Sequence, residues 1–509
     1  MKAFLKLSFF FIVLSIIFSC NKLDDLSNAG PQNSDQEFAI PLFSGKTNIT
    51  EALDHFGTKD YIKIGTDGLI TLNFKGDLST KKANEIWTLF ETIPFALNDS
   101  IFALPLSDNT NLDVEKIFYK SGYMSALVQS MATEDVTVKL YVPQLKKNGV
   151  QFEQTLNLKY SGILPVLGKI DSASIAGYEL SSDNDTVYIK QETYTASGKK
   201  INATIFGALT KLEFSYVQGF WGREFVDLKR DTINIDLFEN WRQGTVTFVD
   251  PTIKINVINS FGVPTRSDIK TMKVFTVKND ILDVQSQVIT DGINFNYPKI
   301  SEVGQTKLTS FSFDNKNSNI VQLLGSGPKA LDYDIDFIAN PDNNINIKGF
   351  MTDSSYFLFQ TEVTLPFYGK AIQFDARDTF DLDFSKFTEN AASAELKLIT
   401  ENGIPLGADV QCYFLDSQSN VIDSLFTVKK QIVGPAPVDE LTGFPKPNVL
   451  TKVVTYIPLD AARIAKLINT KKIATKALFT TSNDGLTAVK IAANQDIYIR
   501  MGMKVKPKS

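Results

Sequence analysis

From about residue 107 onward, apolar and polar positions alternate along most of the chain. Val136-Thr137-Val138-Lys139-Leu140-Tyr141-Val142, Thr155-Leu156-Asn157-Leu158-Lys159-Tyr160 and Thr232-Ile233-Asn234-Ile235-Asp236-Leu237 are examples. A period of two is that of a strand with one buried face, and Gly, Asn, Asp and Pro separate the runs. The pattern predicts a mainly β fold of several tandem antiparallel, sandwich-like domains with a few short helices. The preceding segment reads differently. Phe38-Ala39-Ile40-Pro41-Leu42 forms a short strand, and Asn48 caps a helix with Glu51 at capping-box spacing and Ile49, Ala52, Leu53 and Phe56 on one face. A hairpin follows, with strands 61–64 and 69–74 joined at Thr66-Asp67-Gly68. These elements predict a small α/β domain over 38–106. Near the C-terminus Asp460 is the N-cap of a further helix. Leu459 and Ile464 form its staple, Ile464, Leu467 and Ile468 its stripe, and Asn469 a left-handed end. A hairpin is expected at Asn483-Asp484-Gly485, then a closing strand with Ile497, Ile499, Met501 and Met503 on one face.

Two segments share a hydrophobic phase at an offset of 141 residues. Ile255-Asn256-Val257-Ile258, Gly262-Val263-Pro264 and Asp268-Ile269 match Leu396-Lys397-Leu398-Ile399, Gly403-Ile404-Pro405 and Asp409-Val410. The repeating unit is strand, Gly-aliphatic-Pro corner, strand; glycine is expected to supply the backbone angle of the corner, and proline to end the pairing. Ser121-Gly122 to Leu145 offers a third, more diverged copy. The expected organisation is therefore 1–19 leader, 20–37 tether, 38–106 α/β domain, 107–243 β domain, 244–385 first β repeat and 386–509 second β repeat with one helix.

The leader has its own pattern. Lys2 and Lys6 precede an almost unbroken apolar run from Leu7 to Phe18, too short for a hydrocarbon core of ~30 Å and suited to a signal peptide. Ile17-Phe18-Ser19-Cys20 resembles the lipobox of bacterial lipoprotein precursors. That resemblance implies cleavage before Cys20 and lipidation of Cys20, with anchoring far stronger than one acyl chain provides. The next residues, with Lys22, Asp24 and Asp25, resemble the Lys/Asp-rich export signal of Bacteroidetes-type surface lipoproteins. They imply an outer-membrane protein, with the cell surface favoured over the periplasmic face. Leu26 to Gln36 is mostly small and polar, the composition of a flexible stalk.

Composition narrows the function classes. The chain has 52 basic and 57 acidic residues, and losing the leader's two lysines takes its formal charge from −5 to −7. Such a chain is poorly suited to nucleic acid, whose binding rests on phosphate neutralisation. The single histidine, His55, has no nucleophile-elbow sequence to serve, and one histidine with one cysteine beyond Cys20 excludes a His- or Cys-rich zinc site. No catalytic residue, metal or cofactor is expected. Cys412, in a strand-like run, reads as a small core residue. Asp332, Asp334 and Asp336 share one strand face, as do Asp381 and Asp383; a solvated face is the simpler reading, and a glycosidase or calcium site the sharper one. Five Asp-Ser/Thr-aliphatic sites, at Asp99, Asp171, Asp185, Asp231 and Asp423, resemble the O-glycosylation motif of Bacteroidetes-type exported proteins and equally suit turns entering strands.

Tyr216, Phe220, Trp221 and Trp241 are the candidate ligand or partner contacts, because Gly219-Phe220-Trp221-Gly222 has the composition of a turn that would expose its aromatics. Core packing competes with that reading. The expected function is non-catalytic binding or scaffolding at the bacterial outer membrane, with partners in the membrane (through the lipid), other outer-membrane or surface proteins, or glycans. A surface glycan-binding protein beside a glycan import system is the alternative. A glycoside hydrolase or a lipid carrier stands further off.

Overall fold

The computed structural model describes residues 38–54, 62–86, 92–106, 112–182, 186–227, 230–234, 243–381 and 391–507. They form a mainly β structure of several antiparallel sheets. Five strands come first: β1 (Phe38–Asn48), β2 (Ile62–Ile64), β3 (Ile70–Lys82), β4 (Thr92–Leu97) and β5 (Ile101–Pro105). Asn48 caps the helix Ile49–Asp54, its side-chain oxygen accepting from the Glu51 amide at 2.8 Å. The β2–β3 hairpin forms in the expected place, with Ile64 opposite Ile70.

One strand plan then recurs three times. In the first copy β6 (Leu112–Ser130) crosses at its end to β7 (Val136–Lys147), followed by β8 (Val150–Leu158), β9 (Val166–Ser174), β10 (Glu179–Ser181), β11 (Thr186–Thr195), β12 (Lys200–Ile201) and β13 (Thr204–Trp221). One layer pairs β9, β6 and β13; the other pairs β8, β7 and β11. The short β10 bonds to both β6 and β7, so the layers join into one strongly curved sheet.

The second copy contains β14 (Glu224–Val226), β15 (Asp231–Asn234), β16 (Thr245–Phe248), β17 (Thr252–Asn259), β18 (Thr265–Thr276), β19 (Ile281–Asp283), β20 (Asn294–Phe295), β21 (Lys307–Phe313), β22 (Pro328–Ala339), β23 (Lys348–Thr352), β24 (Tyr356–Pro366) and β25 (Tyr368–Ile372). The layers are β21-β17-β24 and β19-β18-β22. The third adds β26 (Phe374–Asp381), β27 (Ala391–Asn402), β28 (Leu406–Leu415), β29 (Val421–Ser424), β30 (Lys430–Val433), β31 (Thr451–Leu459), β32 (Lys472–Thr481), β33 (Val489–Lys490) and β34 (Asp496–Pro507). Its layers, β31-β27-β34 and β29-β28-β32, repeat the pairing of the second. The helices Ile320–Gly325 and Ala461–Leu467 also start 141 residues apart, as do the corners.

At those corners the physical roles differ from expectation. Neither Gly262 nor Gly403 has a positive φ. Gly262 is needed because a Cβ there would lie 2.1 Å from the Phe350 ring. The turn itself is made by asparagine: the Asn259 side-chain oxygen accepts from the Phe261 amide at 2.8 Å, and that of Asn402 from Ile404 at 3.0 Å. Val263 and Ile404 are both buried in the core.

The N-terminal strands do not close a separate α/β domain. β1 pairs with β34 of the third copy, β3 with β24 of the second, and β4 and β5 with β13 and β11 of the first. A local pattern specifies a strand and leaves its partner open; here the open edges of three remote sheets take up the unpaired N–H and C=O groups. Ladders also cross the segment ends expected near 243 and 385. The end of β13 pairs with β23, and β25 pairs with β33, so each copy's last strand runs on to grip the next copy.

The late helix Ala461–Leu467 has Asp460 as its cap, accepting from the Arg463 amide at 2.8 Å, with Ile464 and Leu467 buried. Ile468 is exposed and Asn469 keeps a negative φ, so the helix ends without the expected left-handed residue. Asn483, Asp484 and Gly485 do turn with positive φ, but β32 and β33 on either side pair with other strands, so no hairpin forms.

Candidate functional site

The two layers of the middle sandwich close on each other only in part. Register places Ser267, Ile269 and Met272 of β18 opposite Phe337, Ile335 and Tyr333 of β22 on the inner face. From the facing layer, Val257 of β17 and Phe359 of β24 meet them. In the first sandwich the inner residues Val128, Val138, Leu140 and Ile205 are fully buried. In the middle one Ile255, Met272, Phe311, Tyr333, Ile335 and Phe359 are only half-buried. They line an open cavity of about 810 Å³, counting the solvent at its mouth. Its aromatic wall is ordered: the Phe337 and Phe359 rings stack at 5.4 Å, and Phe295 meets Phe337 edge-on at 5.4 Å.

Strand β3 forms one rim. Phe359 lies opposite Ser79 and Phe357 opposite Lys81, so Ser79 and Lys81 share the inward face of the two phenylalanines. Leu78 is the extra residue of a bulge in this ladder, and it too lines the cavity. Polar groups are few. Ser267 is buried, and its hydroxyl accepts from the Ile293 amide at 2.9 Å, so the interior presents almost wholly apolar surface. The lining also includes Lys81, Asp231 and Tyr333. Burial, and then the nearby Asp231 carboxylate, push the Tyr333 phenol up. The Thr232 amide also donates to Asp231 at 2.8 Å. Such a site can take an apolar body between the layers and leave a polar end outside, at about 0.8 kcal/mol per methylene buried.

The aromatic segment is organised otherwise than expected. Gly219 to Trp221 continue β13 instead of turning. A Cβ at Gly219 would lie 2.1 Å from the Asp113 carbonyl oxygen, so glycine is required there for close strand approach. Trp221 is 2% exposed and its carbonyl accepts from the Asn340 side chain at 2.8 Å, which places it at the junction of the first and second sandwiches. This burial removes it from the contact candidates. Tyr216 is half-buried, stacked on the buried Phe350 at 6.0 Å and donating to the Gln218 side chain at 2.7 Å. Phe220 is half-buried. Trp241, His55, Asp383, Cys20, Lys22, Asp24 and Asp25 lie outside the described residues.

The acidic strand corrects a second expectation. Asp332, Asp334 and Asp336 do lie on the outer face of β22, away from the cavity, but Asp332 and Asp336 are buried instead of solvated. Arg230 covers Asp332, donating from Nε at 2.9 Å, and holds its carboxyl below the usual range. Lys270, the bulged residue between Ile269 and Thr271, lays its ammonium on Asp336 and 4.7 Å from the centre of the Phe225 ring. Asp381 is exposed. Cys412 is buried, which pushes its thiol up to about 12. Among the described residues no group of three His, Cys, Asp or Glu side chains could hold a metal ion.

The cavity residues Lys81, Tyr333, Ile335 and Phe311 went unmarked in the sequence. Their alternation is that of ordinary strands, and only the spacing of two layers makes it a site. No family model matches the chain, and no curated protein matches it. Among solved structures it is similar to a protein of Parabacteroides distasonis ATCC 8503 described as a candidate secreted protein, at 9% identity over 92% of this chain and 99% of that one, with a TM-score of 0.29. It is also similar to a structure of infectious bursal disease virus, Gx strain, at 8% identity over 82% of this chain and 80% of that one, with a TM-score of 0.16. At such scores neither likeness carries an argument.

Proposed function

We propose that the mature protein is an exported, lipid-anchored, non-catalytic binding protein of the bacterial outer membrane, and that its binding site is the cavity of the middle sandwich. The observation that carries the binding role is the half-exposed inner face of that sandwich, where six aliphatic and aromatic side chains meet solvent although their counterparts next door are closed off. Leaving such surface wet costs roughly 25 cal/mol per Å², a cost a ligand removes. The leader, Cys20 and the residues Lys22, Asp24 and Asp25 support anchoring and export. The glycan reading loses its aromatic platform with the burial of Trp221.

The test is detergent-free extraction of the intact lipoprotein from membranes, followed by mass spectrometry of what organic solvent removes from it. Wild type should carry a small apolar molecule that an Ile335→Trp variant, with its cavity filled, has lost. Equal recovery from both folded proteins overturns the assignment of the site. Labelled palmitate should be incorporated by wild type and not by Cys20→Ala; incorporation by both overturns the anchor.

A further inference from the structure

Resting on the reading of the cavity as a binding site, we infer that its ligand is a single-chain amphiphile with an anionic head: the tail lies between the layers and the head meets the Lys81 ammonium. The interior is lined mainly by aliphatic and aromatic side chains, with the hydroxyls of Ser79 and Ser267 the small polar groups among them. A polar group of the ligand buried among the apolar side chains without a partner costs about 1–3 kcal/mol. The charged and phenolic groups of the lining are Lys81, Asp231 and Tyr333. Their electrostatics select the sign of the head. Asp231 lies opposite Tyr333 in its ladder, is exposed, and accepts from the Thr232 amide at 2.8 Å. Lys81 has neither a hydrogen bond nor an ion pair with any described residue. Its stem lies on the inner face opposite buried Phe357, with the side chain half-buried. An amine that is half out of water, next to an apolar chamber and in no ion pair with a described residue, is complementary to a carboxylate or phosphate arriving on an acyl chain.

A second role for Lys81 makes a competing account. Beyond its short pairing with β2, β3 is the edge of its sheet, and inward-pointing charges on edges discourage pairing with other chains. If that were its whole purpose, Lys81→Met would raise aggregation and leave ligand affinity untouched.

The experiment uses the purified mature protein with a dansyl fatty acid as fluorescent probe, competed by dodecanoate, dodecanol and dodecyltrimethylammonium, and Nile red as an uncharged probe of the chamber. Dodecanoate should compete best in wild type, by about tenfold over dodecanol. Lys81→Met should remove that advantage while Nile red still binds, and Lys81→Arg should keep it. Equal competition by dodecanoate and dodecanol, or an unaltered Lys81→Met, overturns the head assignment while Nile red binding, abolished by Ile335→Trp, leaves the chamber standing. Preference for dodecyltrimethylammonium overturns it in favour of a cationic head drawn by Asp231. Failure of both probes to bind folded wild type removes the site reading itself, and this inference with it.

Discussion

Phe38 and Val505 are partners in one antiparallel ladder, so the first strand of the described chain closes the sheet that ends it. The described chain thus starts in the third sandwich and not the first. Deleting residues 38–48 leaves β34 as an edge with its bonding groups exposed. Hydrogen exchange should show the amides of β34 losing protection while those of β6 and β13 keep theirs. The surface ion pair between Lys46 and Asp496, 2.8 Å apart, is a minor part of this. Unchanged protection in β34 would mean that the ladder is not stabilising the sheet.

The ion pairs over β22 should control acid stability. Arg230 holds the Asp332 carboxyl below its ordinary value. A carboxyl depressed in the folded state adds stability at every pH above its unfolded value, and that stability is lost as pH falls toward the folded one. Arg230→Met should therefore be less stable than wild type at neutral pH, with the two converging below about pH 4. Urea titrations across pH would check it; a constant gap down to strong acid contradicts it. Lys270→Met removes the ion pair of the fully buried Asp336 and should lower the midpoint clearly, whereas Lys169→Ala, at an exposed pair, should not.

Local features were legible where they depend on neighbours in sequence. Asp460 and Asn48 cap the helices expected of them, and the Gly-Val-Pro and Gly-Ile-Pro corners mark equivalent crossings. What depends on distant partners was not. Phe38–Asn48 reads as a strand whatever it pairs with, so nothing local assigns it to Asp496–Pro507. Gly219 and Gly222 suggested a turn because glycine has two uses, and only the Asp113 backbone decides that close approach is the one in force. The alternating acids of β22 announce an outer face, but the burial of Asp332 and Asp336 comes from Arg230 and Lys270, far off in the chain. The cavity is illegible for the same reason: Ile335 and Val138 alternate alike, and only the gap between layers separates them.

Trp221 and Gly349 make the first junction. A Cβ on Gly349 would lie 2.7 Å from the indole Cδ1 and 2.8 Å from Val263. Gly349→Ala should cost about 1–3 kcal/mol by overpacking. Trp221→Ala should cost about 3–5 kcal/mol through the cavity it leaves. Both are measurable by chemical denaturation. A Trp221→Ala protein of wild-type stability would return Trp221 to the surface.

Cys412 offers a probe of the third sandwich. It lies mid-strand opposite Thr475, with its sulfur 3.9 Å from the Thr475 hydroxyl. The thiolate is the reactive form. Burial pushes the thiol up to about 12. At pH 8 roughly one thiol in ten thousand would be ionised even if reagent could reach it. An aromatic disulfide reagent should therefore label Cys412 only through opening of β28 and β32. The labelling rate should rise steeply with denaturant, in step with loss of the folded signal. Deleting β1 should speed labelling if the two layers of this sandwich open together, because its first layer would have lost an edge strand. Labelling of the native protein as fast as a free thiol would show that Cys412 is reached without opening, contrary to its packing against Thr475.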